Sequence, residues 1–293
     1  MKKLLVTGAS GFLGWNICTV AKDDWNIFGT VFSHPVTIDG VHIIRIDIGD
    51  FQQLKKTFNE IRPDAVIHTA AAASPDYCQI HKSETHKINV DAAVTIAGLC
   101  ADHEIPLSFT STDLVFDGSR GMYKEEDPVN PVNVYAEQKV TAEQKISDIY
   151  PDAAVCRMPL MLGMPGPANN SFLQPMIKAL KDGSRLTLFT DEFRSPVSAG
   201  TAARGLLLSL AQFKEVIHLG GRDRISRYDL GMLVSEILQC GHKNIIACKQ
   251  KDITFAAPRA ADVSLDSSKA FGLGYNPQSL RKELEGIIKQ VNL

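Results

Sequence analysis

Residues 4–14 of the 293-residue chain read Leu-Leu-Val-Thr-Gly-Ala-Ser-Gly-Phe-Leu-Gly. An apolar run that breaks on glycine and resumes as an apolar helix start is the pattern of a strand-to-helix turn. Three glycines at i, i+3 and i+6 constrain it further. Gly8 allows the sharp turn off the strand, Gly11 lets an anion approach the backbone, and Gly14 lets helix and sheet pack closely. The helix N-terminus beyond them presents unpaired N–H groups. The spacing is G-x-x-G-x-x-G, looser than the common dinucleotide fingerprint, but its physical demands are the same. Gly8, Gly11, Phe12 and Leu13 are therefore the expected contacts of a dinucleotide pyrophosphate.

A turn of this kind predicts a parallel α/β sheet, and the chain supplies the alternation. Candidate strands are Leu4–Thr7, Asn26–Phe32, His42–Ile46, Ala65–Thr69, Leu107–Thr110 and Ala153–Arg157, with helices near 12–22, 50–60, 84–103 and 132–148. The strands are nearly continuous apolar runs, as in sheets covered on both faces. The expected fold class is α/β, a Rossmann-type doubly wound parallel sheet with a smaller C-terminal α/β substrate lobe. Residues 1–158 form the dinucleotide-binding domain and 159–293 mainly the lobe. A strand near 216–219 returns to the main sheet. The lobe is expected to hold helices near 171–181, 200–211, 226–239 and 278–291 and a strand at Leu186–Phe189. Leu280, Leu284, Ile287 and Val291 form a core-facing stripe.

Composition narrows the partners. With 44% hydrophobic residues and a net charge of −2, nothing favours nucleic acid or an anionic membrane surface. No stretch approaches the roughly 20 apolar residues of a membrane helix, and the short apolar run at the N-terminus is a first strand, not a signal peptide. Six scattered cysteines without C-x-x-C spacing read as reduced thiols of a cytoplasmic protein. No acidic cluster marks a metal site.

The second strand ends in Thr30-Val31-Phe32-Ser33-His34. A site for NAD places Asp or Glu here to hold the ribose diol. With no acid present, Ser33 and His34 are free to bond a 2′-phosphate, which favours NADP(H) over NAD(H), although no arginine stands beside them. Asp47, followed by Ile48 after the third strand, is a ligand for the adenine amino group or a helix cap.

Tyr135 and Lys139 stand one helical turn apart, so phenol and ammonium share a face. Pro131-Val132-Asn133 supplies the helix start, and Thr110-Ser111-Thr112-Asp113 places hydroxyls at the sheet's carboxyl edge, where ligands of open α/β sheets bind. Hydride delivery to a ketone builds alkoxide charge, so a positioned acid must protonate that oxygen. A phenol with pKa near 10 is poor at this, and the Lys139 charge is expected to lower it. Thr112, Tyr135 and Lys139 are the candidate catalytic residues.

These stretches resemble the extended short-chain dehydrogenase/reductases, and within them the dTDP-4-dehydrorhamnose reductase family. The resemblance is carried by Val6–Gly14, Asp64–Ala72, Ile88-Asn89-Val90, Thr110–Gly118, Tyr123–Lys139 and Pro258–Lys269. It implies NAD(P)H-dependent reduction of the 4-keto group of a nucleotide-linked deoxysugar. It also implies that Ala70, Ala71 and Ala72 face the cofactor and that Lys139 and Tyr135 meet the nicotinamide ribose. Asp113, Arg194 and Arg259 are the expected substrate contacts, the arginines serving either a diphosphate or surface ion pairs. Some family members form magnesium-linked dimers, which raises a homodimer as an expectation. Leu114 replaces a usual Tyr, Ala136 a usual Gly, and the run Met158-Pro159-Leu160-Met161-Leu162-Gly163 lacks an aromatic expected beside the substrate. The alternatives are a regulatory subunit that binds nucleotide without turnover, and an epimerase or dehydratase holding NAD tightly.

Overall fold

The computed structural model describes residues 1–291. The first half runs β1 (Lys3–Thr7), α1 (Phe12–Ala21), β2 (Asn26–Val31), β3 (Val41–Arg45), α2 (Phe51–Ile61), β4 (Ala65–His68), α3 (Pro75–Ile80), α4 (Lys82–His86), a π-helical turn (Lys87–Asp91), α5 (Ala92–Asp102), β5 (Leu107–Thr112), α6 (Val134–Ile149) and β6 (Ala154–Met158). The second half adds β7 (Met161–Leu162), α7 (Leu173–Lys181), β8 (Leu186–Phe189), β9 (Phe193–Arg194), β10 (Val197–Ser198), α8 (Ala199–Gln212), β11 (Val216–His218), β12 (Ile225–Ser226), α9 (Arg227–Ile237), β13 (Ile245–Cys248), α10 (Ser268–Gly272) and α11 (Leu280–Val291).

Seven parallel strands build the central sheet in the order β11-β6-β5-β4-β1-β2-β3. The fold is a Rossmann-type α/β sheet. From β1 the chain winds outward through β2 and β3, then restarts at β4 on the other side and continues to β11. The switch point therefore lies between β1 and β4, and the crevice beyond their carboxyl ends is the natural ligand site.

Period-two geometry explains why the strands read as unbroken apolar runs. In β1, Leu4 and Val6 join one core cluster with α1 and α8, while Leu5 joins the other, with α2 and α5. Each such fully buried side chain contributes about 1.5–3 kcal/mol. Helix α8 packs on α1 through buried Ala202, Ala203 and Leu206, so the second half supplies a helix that covers the main sheet as well as the strand β11. A third apolar cluster, including Leu162, Leu173, Met176, Leu188, Leu230 and Val234, forms the core of the C-terminal lobe. Leu280, Leu284 and Ile287 of the expected stripe pack into it; the side chain of Val291 lies outside the described residues.

Helix ends follow local chemistry. Asp50 caps α2 by accepting from the Gln52 and Gln53 amides, and Asn133 caps α6 by accepting from the Ala136 amide at 3.0 Å. The expected helix near 84–103 is interrupted by the π-helical turn, where buried Asn89 bonds Ala72 and Gln138. A separate α3, with Ser74 as cap and Pro75 at its first position, is not legible in the hydrophobic pattern because only Cys78 of it is buried.

A buried ion pair ties the sheet to the helix that carries Tyr135. Arg157 on β6 reaches Glu143 on α6 at 2.8 Å, and each side chain is only 6% exposed. The guanidinium also lies over the Phe116 ring.

Candidate active site

The glycine turn forms a groove. Gly8 has φ +72°, and a Cβ there would sit 2.8 Å from the Ala70 Cα. At Gly14 a Cβ would collide with the Gly8 carbonyl oxygen, which is how closely α1 packs on the turn. The Gly11 amide donates to the Gly8 carbonyl at 2.8 Å. Across the switch point, Thr7 Oγ1 meets His68 Nδ1 at 2.6 Å and the Thr69 hydroxyl donates to the Thr7 carbonyl at 2.6 Å. Burial depresses the His68 imidazole to about 3, so it is neutral and acts as a brace between β1 and β4.

The resulting groove has a volume of about 650 Å³ and runs from the glycine turn to the ends of β2 and β3. Gly8, Gly11, Ser33, His34, Asp47, Ile48, Ala70, Ala71 and Ala72 all line it. Two expected contacts lie elsewhere. The Leu13 side chain packs in the core because its helical position faces the sheet, leaving only its backbone near the turn. Phe12 points to the neighbouring cavity described below. Asp47 is not the helix cap, a role taken by Asp50; its carboxylate accepts from the Gly49 amide at 2.9 Å.

A second cavity of about 380 Å³ opens between the end of β5 and the C-terminal lobe. Thr112, Asp113, Tyr135, Arg194 and Arg259 line it, with Phe12 at its border. Tyr135 is 8% exposed. Burial first, then the Asp113 carboxylate and Cys78, push its phenol well above its ordinary value, and the neighbouring Thr112 hydroxyl only moderates this. The direction is opposite to the lowering expected from Lys139, because loss of water and the nearby Asp113 and Cys78 set it. Lys139 is 2% exposed and donates to the Thr110 carbonyl at 2.8 Å, with Nζ 4.8 Å from the centre of the Phe109 ring. Burial lowers it to about 8, with Glu143 opposing the shift. It lines neither cavity through its side-chain surface.

The opposite wall is a buried charge cluster that the sequence pattern only half reveals. Arg194 Nε stands 3.5 Å from Asp113 Oδ2, and its Nη2 is 3.4 Å from Glu192 Oε1. Arg227, the first residue of α9, donates from Nε to Glu192 Oε1 at 2.8 Å. Arg194 is therefore buried and not a surface ion pair. Arg259 pairs with Asp76 at 2.8 Å. Burial raises Asp113 to about 6, against the pull of Arg194 and Arg227. For Glu192 burial acts upward but the two arginines prevail and hold it below its usual value. Among the described residues, Ser111 Oγ, Asp113 Oδ2, Arg227 Nη1 and Arg259 Nε are buried without a hydrogen-bond partner. Unsatisfied buried donors and acceptors are costly, and all four belong to residues lining this cavity.

Sequence reasoning missed Glu192, Arg227 and Phe172. The run after β6 contributes no aromatic, but Phe172, after the 163–171 loop, lines the cavity, with the Arg227 guanidinium 4.4 Å from its ring centre. The same loop reaches the glycine turn, where Asn169 donates to the Ser10 carbonyl. The only local hint is the acid–aromatic–base alternation Glu192-Phe193-Arg194.

The chain matches the family described as RmlD substrate binding domain over residues 1–293. It is 29% identical over 288 residues to a probable low-salt glycan biosynthesis reductase of Haloferax volcanii, covering 96% of each chain. It is 24% identical to the methionine adenosyltransferase 2 subunit beta of Danio rerio, covering 95% of this chain and 87% of that one. Among solved structures, a hypothetical dTDP-4-dehydrorhamnose reductase from Sulfolobus tokodaii superimposes with TM-score 0.82 at 31% identity, covering 92% of this chain and 94% of that one. The glycine turn, the parallel sheet and the full-length match agree: this chain belongs to the RmlD substrate-binding-domain family of reductases.

Proposed function

We propose that the chain is an oxidoreductase that uses NADPH to reduce the 4-keto group of a nucleotide-linked deoxysugar. One observation carries the reading: a buried tyrosine with a threonine hydroxyl beside it forms the wall of a polar cavity that adjoins a glycine-lined groove. The groove suits a dinucleotide, since Gly8 and Gly11 bring bare backbone to its wall and Gly8, at φ +72° against Ala70, leaves no room for a side chain. Gly8 and Gly11 would hold the pyrophosphate, Ala70–Ala72 the nicotinamide half, and Ser33 and His34 the adenosine ribose. The absence of an acid after β2 supports NADPH over NADH.

When bound, the nicotinamide supplies the hydride. The protein's own groups handle the oxygen. Burial and Asp113 keep the Tyr135 phenol protonated at neutral pH, so it carries the proton that the developing alkoxide takes. Thr112 orients the same oxygen by a hydrogen bond. Lys139 commits one N–H to the Thr110 carbonyl and, buried behind the groove, would act on the site through the end of β5 and not by lining the ribose. Arg227, Arg194 and Arg259 offer donors, and Asp113 an acceptor, to the sugar and its phosphates. The lobe after residue 158 would serve as the substrate-binding part.

Following NADPH oxidation with dTDP-4-keto-6-deoxyhexose tests this. Tyr135→Phe is expected to lower kcat/KM by about 10²–10⁴-fold while NADPH affinity stays within twofold. Tight NADPH binding without turnover on any keto sugar overturns the reductase reading and favours a regulatory subunit. Tightly retained NAD⁺ with no net cofactor consumption identifies an epimerase or dehydratase instead.

A further inference from the structure

The turn after β2 contains no arginine in sequence, yet the fold brings one to it. Arg45 is the last residue of β3, the edge strand of the sheet, and the parallel register sets it beside Val31 at the end of β2. Its side chain crosses to the turn, where Nε donates to the Phe32 carbonyl at 3.2 Å. It is exposed and forms no ion pair among the described residues. With Nε tethered, the flat guanidinium keeps both Nη groups free, and their direction is set by the tether.

The rest of the turn is suited to an anion. Ser33 Oγ and His34 Nδ1 lie 3.0 Å apart, and both residues line the groove. Residues 32–38 include no acid, and the next one, Asp39, is already paired with Lys22 at 3.0 Å. The 32–38 turn itself offers a ribose diol no carboxylate, Asp47 and Asp50 lying further along the groove, whereas a phosphate monoester held at the turn would have the Arg45 guanidinium, the Ser33 hydroxyl and the His34 imidazole as its neighbours. Guanidinium is the side chain whose geometry matches phosphate in a bidentate manner.

We propose that Arg45, delivered from the neighbouring strand, is the residue that selects NADPH over NADH by binding the adenosine 2′-phosphate together with Ser33 and His34. The inference rests on the dinucleotide site proposed above. It adds what the linear sequence conceals, because the selecting charge lies well beyond the turn it serves in the chain.

Equilibrium titration of nicotinamide fluorescence tests it without turnover, on the full-length protein and Arg45→Ala, with NADPH and NADH compared. The variant is expected to bind NADPH about 10–100-fold more weakly and NADH within twofold of wild type. Adenosine 2′-monophosphate should compete with NADPH on the wild type and lose that competition on the variant. Arg45→Lys, which keeps the charge but not the fork, should fall between. Equal weakening of both cofactors would show that Arg45 only braces the turn through the Phe32 carbonyl, and a change below threefold for NADPH would equally refute the assignment. If the wild type binds neither cofactor, the dinucleotide site itself is overturned, a result distinct from loss of selectivity alone.

Discussion

Asp113 offers the sharpest quantitative test because its ionisation is coupled to folding. Its side chain is 6% exposed, its Oδ2 has no hydrogen-bond donor, and Arg194 Nε stands off at 3.5 Å. Burial raises the carboxyl from the ordinary 3.8 to about 6, even with two arginines opposing. The folded state thus prefers the protonated acid. A raised folded-state pKa contributes stability that is fully present below the unfolded value near 3.8 and is lost as pH rises through about 6. At 1.36 kcal/mol per pH unit, the whole effect amounts to about 3 kcal/mol, most of it between pH 4 and 7. The amide introduced by Asp113→Asn cannot ionise. Whatever constant offset the substitution brings, the stability of the variant minus that of wild type should therefore climb by about 2–3 kcal/mol between pH 4 and 7. Urea denaturation curves of both proteins at intervals of half a pH unit would measure this difference directly, provided the m-values agree. A difference that stays flat within about 0.5 kcal/mol, or declines with pH, would refute the claim that burial dominates at Asp113.

Two further outcomes follow from packing. Gly14→Ala places a methyl group against the Gly8 carbonyl; it should cost about 1–3 kcal/mol of stability and weaken NADPH at least tenfold, and unchanged NADPH affinity would contradict the cradle. Arg157→Met leaves Glu143 charged and buried, a loss of about 3–5 kcal/mol that Glu143→Met in the same chain should largely restore; thermal and chemical melts of the single and double variants check it, and a single-variant loss under about 1 kcal/mol would argue against burial of the pair.

Local chemistry is readable from the chain directly. The glycines, the Asn133 cap and the strand runs act over a few residues, so spacing and side-chain type suffice to place them. For the same reason Tyr135 and Lys139 are recognisable as a pair, and Ser33, His34 and Ala70–Ala72 are assignable to one groove from their positions after successive strands. Errors arise where a helical position has two faces: Leu13 and Phe12 follow one another, yet one enters the core and the other borders the second cavity.

By itself, the sequence determined the parallel α/β architecture and the glycine turn, and it pointed to Thr112 and Tyr135, which line one cavity. Tertiary structure alone decided the rest. Arg45 reaches the β2 turn only because β3 pairs with β2 in register, and Glu192, Arg227 and Phe172 converge only when loops far apart in the chain fold over one cavity. It also reversed the expected acidity of Tyr135, because a pKa follows the water and charge around a group, and those are set by burial and by neighbours that no local spacing specifies.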